Sequence, residues 1–136
     1  ITIMPGMEKL NDLQYVEAMQ NFNREILHPA FFIVFLGSII LLPIVTYLEY
    51  KQGLSHKFTF LLVATLIYFA GVVLVTFFGN VPLNNLLDVF DLKNSTPDDY
   101  RLMRDTFENP WNRLNWIRTF CSFVSLVLVM LAVVKK

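Results

Sequence analysis

The chain has 136 residues, 55% of them hydrophobic, and its 11 basic and 11 acidic side chains cancel to a formal net charge of zero. A neutral chain without a basic patch interleaved with aromatics carries no electrostatic footprint for nucleic acid. Its single cysteine, Cys121, excludes an intrachain disulfide and any paired-thiol redox or metal motif.

The apolar residues fall in three blocks, 29–50, 58–78 and 116–134. Each is close to the roughly 20 helical residues that cross a hydrocarbon core about 30 Å thick. No charge interrupts Pro29 to Leu48, Phe58 to Gly79 or Thr119 to Val134, whereas soluble helices of this length carry a polar face. The fold expected is an all-α transmembrane helical bundle, a single membrane domain over 1–136 with the bilayer as its first partner.

In chain order, Ile1 to Gly6 lack the pattern of a signal peptide and read as the end of an earlier span. The intact protein is therefore expected to have four spans, three of them complete here. From Met7 to Leu27, Met7, Leu10, Leu13, Val16, Met19, Phe22 and Ile26 recur every three or four residues among charged ones, which predicts an amphipathic helix lying on the mouth of the bundle. The 29–50 and 58–78 spans are joined by the short turn 51–57 and should form a hairpin, with Gly37, Ser38, Ala64, Ala70 and Gly71 allowing close approach.

Gly79 and Pro82 are expected to end the next span, inside the amide-rich run Gly79 to Asn85. Thr96, Pro97, Asp98 and Asp99 then predict a helix start, with Thr96 as the cap. A short amphipathic helix should reach Glu108 and break at Asn109 and Pro110, and Trp111 should open the last helix. Counting crossings puts the amphipathic segments on one side of the bilayer and the 51–57 turn with the C-terminus on the other. That second side carries Lys51, Lys57, Lys135 and Lys136 against Glu49, which leans toward a cytoplasmic turn and C-terminus.

The polar residues of the spans gather at one mouth. Asn115, Arg118, Ser122 and Ser125 are spaced to share one face of the last helix, with Trp111 one turn above and Asn112, Trp116 and Thr119 on the neighbouring strip. Thr76, Asn80 and Asn84 emerge at the same side. Arg118 near the boundary is placed either to snorkel and brace the helix ends or to turn inward toward an anionic group, and the tryptophans either to belt the interface or to wall a pocket. His28 and His56 lie on opposite sides and cannot share a metal; no metal is expected, while His28 alone leaves haem open.

Two segments, Asn80-Val-Pro-Leu-Asn84 and Trp111-Asn-Arg-Leu-Asn-Trp-Ile-Arg-Thr119, with Met4-Pro-Gly6 and Met19-Gln-Asn-Phe-Asn-Arg24 upstream, resemble the small membrane proteins of the anthrone oxygenase-like family, whose bacterial members are largely a domain of unknown function. The resemblance implies a four-helix membrane bundle and an oxidation of anthrones by molecular oxygen without an evident cofactor. Carried onto this chain, it implies Arg118, Asn80, Asn84 and Asn115 as stabilisers of a phenolate or enolate. Trp111 and Trp116 would be the ring-stacking walls, with Asn112 beside them in the site, and His28 the base. The expectation is a polar Asn/Arg/Trp site that binds an apolar aromatic or quinone-like molecule. The alternative is a non-enzymatic membrane subunit, in a homo-oligomer or with a partner subunit, whose polar cluster is structural.

Overall fold

The computed structural model describes residues 3–26 and 29–134, all helix and connecting turns with no strand among them. Five helices follow in order: α1 (Ile3–Met7), α2 (Asp12–Glu25), α3 (Pro29–Gln52), α4 (His56–Asp88) and α5 (Pro97–Val134). Three of these, α3, α4 and α5, are long and apolar enough to cross a membrane. The described residues are thus all-α, with three helices of the length and composition of an integral membrane protein's spans. His28 and the earlier-span reading of Ile1 and Thr2 fall outside the described residues.

α4 is the central helix. α3 packs on one side of it and α5, antiparallel, on the other. The α3–α4 turn is tight: Gly53 takes φ +119°, a conformation L side chains rarely adopt, and Ser55 caps α4 by accepting from the Phe58 N–H at 3.0 Å. Close approach of α4 to α5 comes through small residues. A Cβ on Gly71 would collide with the Cys121 side chain, and one on Gly79 would lie 2.8 Å from Leu114. Ala64 is fully buried, and its carbonyl accepts the Ser125 hydroxyl at 3.0 Å. Gly71 and the Ala64 carbonyl, expected to serve the hairpin of α3 and α4, face α5 instead; a Cβ on Gly37 would meet nothing, and Ala70 is exposed. Between α3 and α4, Thr46 and Thr65 share a hydrogen bond of 2.8 Å. These are the contacts expected where lipid removes the hydrophobic incentive to bury apolar surface.

Outside the spans the packing is of the soluble kind. Met7, Tyr15, Val16, Met19, Leu87 and Phe107 form a buried cluster between α2, the end of α4 and the first half of α5. Arg104 staples this cap. Its guanidinium pairs with Glu108 at 2.7 Å and Asp12 at 3.1 Å, donates to the carbonyls of Leu10 and Glu8, and stacks 4.6 Å over the Tyr15 ring. Its carboxylate partners, Glu108 foremost, push its pKa above the ordinary arginine value, and burial pushes the Tyr15 phenol up, so neither changes charge in a physiological range.

Three expected boundaries are corrected. α2 starts at Asp12 rather than Met7, because Asn11 and Gln14 form a reciprocal capping box. The buried face of α2 is Tyr15, Val16, Met19 and Gln20, while Leu13, Phe22 and Ile26 stay about half exposed. α4 does not end at Gly79 but continues to Asp88. Residues Phe69–Leu74 and Thr76–Asn80 are π-helical, with the Val81 N–H reaching back to the Thr76 carbonyl, and Pro82 follows in the first turn of the next α-segment, where its missing N–H costs little. Nor does Pro110 break α5, which runs unbroken through it from Pro97 to Val134. An interior proline costs about 3 kcal/mol; here Phe107 and Trp111 anchor the turns on both sides against the cap, which offsets it. The Thr96 cap is as expected, with the Asp99 carboxylate accepting from the Thr96 N–H at 2.8 Å and from its hydroxyl at 2.7 Å.

Candidate functional site

α4 and α5 run past each other in a fixed register, Ala64 against Ser125, Gly71 against Cys121, Gly79 against Leu114 and Asn84 against Trp111. That register places Asn80 at the level of Leu114 and Asn115, one turn below the bond in which the Trp111 indole N–H donates to Asn84 Oδ1 at 2.9 Å. Asn80 is 2% exposed, and neither its amide nitrogen nor its amide oxygen has a hydrogen-bond partner among the described residues. Buried amides are nearly always paired, and one left unpaired costs about 1–3 kcal/mol. The Arg118 Nε, the Asn112 Oδ1 and the Asn23 Nδ2 are likewise buried and unpartnered. Unpaired donors and acceptors from α2, α4 and α5 therefore accumulate at one end of the spans.

Above them lies a cavity of 510 Å³ between α1, α2 and α5. Met19, Phe22 and Ile26 of α2 supply an apolar wall, Trp111 and Asn115 the opposite one, and Asn23 and Glu25 its polar atoms. The volume falls within the range of small-molecule sites, as does the mixture of apolar wall and few polar groups. α2 is held over the cavity at both ends. At one end is the Arg104 staple; at the other the Gln20 amide donates to the carbonyls of Leu87 at 2.8 Å and Phe90 at 2.9 Å, and Arg24 pairs with Asp88 at 2.9 Å.

The residues expected at the site separate into groups. Asn84 and Trp111 are brought together and bonded, Asn115 lines the cavity, and Asn80, Asn112 and Arg118 hold unpaired buried atoms. Trp116 does not join them: it is 68% exposed, on the face of α5 turned away from α2 and α4. The hydroxyls of Thr76 and Thr119 are spent on carbonyls of their own helices. No three His, Cys, Asp or Glu side chains among the described residues converge as a metal site would require. Asn23, Glu25 and Gln20 escape a reading of the sequence, since within an amphipathic helix they look like its solvent face. The available signal is the segment Met19 to Arg24 noted above for its resemblance, which contains Gln20 and Asn23 but assigns them no role.

A family model described as anthrone oxygenase matches residues 31–128, which takes in most of the three membrane-spanning helices and every polar residue from Asn80 to Ser125. The chain belongs to the anthrone oxygenase family. The match leaves out α1 and α2, and with them Met4-Pro-Gly6 and Met19 to Arg24, so one wall of the cavity lies outside the matched residues. No curated protein and no solved structure matches the chain.

Proposed function

We propose that the mouth binds a planar, hydroxylated polycyclic aromatic of the anthrone type and that molecular oxygen oxidises it there without a resident cofactor. The observation that carries this reading is Asn80: a buried amide with no partner among the described residues, at the level of Asn115, below a cavity walled by Trp111. A phenol or carbonyl oxygen supplies the missing partner, and an indole face suits a fused ring.

The chemistry asks little of the protein. A methylene beside the carbonyl-conjugated rings loses a proton, the carbanion is delocalised onto oxygen, and positioned donors stabilise that anion. Molecular oxygen accepts the electron pair to give a hydroperoxide, which then loses water. In balance, the ring methylene and one molecule of oxygen become a ring ketone and one molecule of water. Asn80, Asn115 and the Arg118 guanidinium are the donors for the anion. Among the described residues Glu25 is the one acid–base group of the cavity lining, and it joins the expected His28 as a candidate base. Trp111 orients the rings.

One observation favours the alternative of a structural cluster in a membrane subunit: Asn84 and Trp111 satisfy each other and tie α4 to α5. Asn80→Leu separates the readings. With 1,8-dihydroxyanthrone as the probe, oxygen uptake and anthraquinone absorbance should fall at least tenfold in this variant, while its thermal stability in detergent holds or rises because an unpaired buried amide has been removed. Lost stability with unchanged probe binding and turnover would overturn the ligand reading in favour of the structural one.

A further inference from the structure

The mouth leaves a second cavity unused. It measures 410 Å³ and lies within the spans, where α3 and α5 both pack on α4 but hardly on each other, so that α4 forms its floor. Leu42, Val45, Leu61 and Val129 make it apolar. Four hydroxyl-bearing residues line it, and they differ. Ser125 is bonded to the Ala64 carbonyl and Ser38 to the Val34 carbonyl, whereas the hydroxyls of Tyr68 and Ser122 make no hydrogen bond to a described residue.

These two hydroxyls, unpartnered among the described residues, stand at the upper end of the cleft. Ser122 is one turn deeper than Arg118 on the same face of α5, and Tyr68 is near enough to Arg118 to interact with it electrostatically. Going up that face, Ser122, Arg118, Asn115 and Trp111 are spaced four, three and four residues apart, so about 16 Å of one helix stripe joins the cleft to the mouth. On that stripe Arg118, whose Nε is buried and unpartnered among the described residues, stands between Ser122 of the cleft and Asn115 of the mouth.

We infer that the cleft is a lateral binding site through which the hydroxylated aromatic reaches the mouth from the bilayer, Tyr68 and Ser122 holding its phenol and carbonyl oxygens on the way to Arg118. The inference rests on the ligand class proposed above. A fused tricycle gains about 25 cal/mol for each Å² of apolar surface it withdraws from water, so it concentrates in hydrocarbon, and a site facing lipid meets far more of it than one facing water. Complementarity selects the occupant. A saturated chain offers nothing to two unpaired hydroxyls and a guanidinium at one end of an apolar cleft, whereas a ring system with phenol oxygens on one edge satisfies all three.

The test uses the full chain in lipid nanodiscs and a diazirine-bearing 1,8-dihydroxyanthraquinone, flashed at intervals after mixing, with labelled residues located by peptide mass spectrometry. Label is expected first on α3 and α5 around Leu42 and Ser122 and then around Trp111 and Phe22. Ser122→Phe, which fills the cleft, should abolish the first set and slow the second at least tenfold, while Ser122→Ala, which keeps the slot open but removes one of the two hydroxyls, should weaken the first set several-fold and slow the second less than Ser122→Phe does. Leu126→Phe serves the same purpose should Ser122→Phe not assemble by size-exclusion chromatography. Label at the mouth without label in the cleft, or an unchanged mouth rate in a filled cleft, overturns the lateral site and leaves the mouth standing. Label confined to the cleft supports the cleft as a site and overturns the mouth reading; label in neither overturns both.

Discussion

The cap and the spans of this protein are held together by different physics. In the cap, Tyr15, Val16, Leu87 and Phe107 are withdrawn completely from the surface, as in a water-soluble core, and Arg104 of α5 gathers the turn before α2 and the start of α2 through charged bonds. In the spans few large side chains are buried; α3 in particular presents Ile33, Val34, Ile40 and Leu41 outward. Cohesion there comes from glycine, alanine and hydroxyls at the α4 interfaces. A bilayer solvates leucine as well as a protein core does, so only close backbone contact and hydrogen bonding distinguish the folded bundle from separated helices. The candidate site lies where the two regimes meet, and there polar groups are buried without being paired.

Four changes would sharpen or break that contrast. Phe107→Ala should be the most damaging, about 4 kcal/mol by analogy with other buried aromatics. It should release α2 and the cap while far-UV circular dichroism retains the helicity of the spans; equal loss in both regions would show them to be one cooperative unit. Gly71→Val drives a side chain into Cys121 and should cost about 1–3 kcal/mol, read as a lower detergent-denaturation midpoint together with faster alkylation of Cys121 as α4 and α5 separate. Ser125→Ala removes one intramembrane hydrogen bond and should cost only about 0.6 kcal/mol. The smallest effect is that of pH. The Thr96 N–H and hydroxyl hold the Asp99 carboxyl below its ordinary 3.8. A depressed value means that the cap's contribution is complete above 3.8 and is lost as pH falls through the folded value. Carbon chemical shifts of Asp98 to Arg101 should stay helical at neutral pH and move toward coil only in strong acid, without change in the spans.

Much of the architecture can be read from the residues alone, because charge-free blocks of this length have few alternatives and because Thr96-Pro97-Asp98-Asp99 is a local signal with a local cause. The gathering of Asn80, Asn84, Trp111, Asn115 and Arg118 at one end is readable for the same reason, since helical spacing and the order of crossings decide it. The breaks expected at Gly79, Pro82 and Pro110 fail because breaker residues report only a local penalty. Burial of Leu87 and Phe107, remote in sequence, outweighs it. The π-helical turns before Pro82 leave no signature in hydropathy. Trp116 is expected beside Trp111 as a second wall, yet five residues along a helix turn a side chain well away from the first. Gln20, Asn23 and Glu25 cannot be told from solvent-facing residues without knowing what lies over them.

The unbroken course of α5 gives the molecule a lever. At 38 residues the helix is about 57 Å long, its outer arm bolted to the cap by Phe107 and Arg104 and its inner arm carrying Ser122 and Ser125 along the cleft. Pro110 sits near the junction of the arms and leaves the Thr106 carbonyl without its usual helical donor, so the shaft bends there at the least expense. Trp111 and Asn115, one and five residues past that junction, are the side chains α5 contributes to the wall of the mouth, so one proline sets where the compliance of the shaft meets the site.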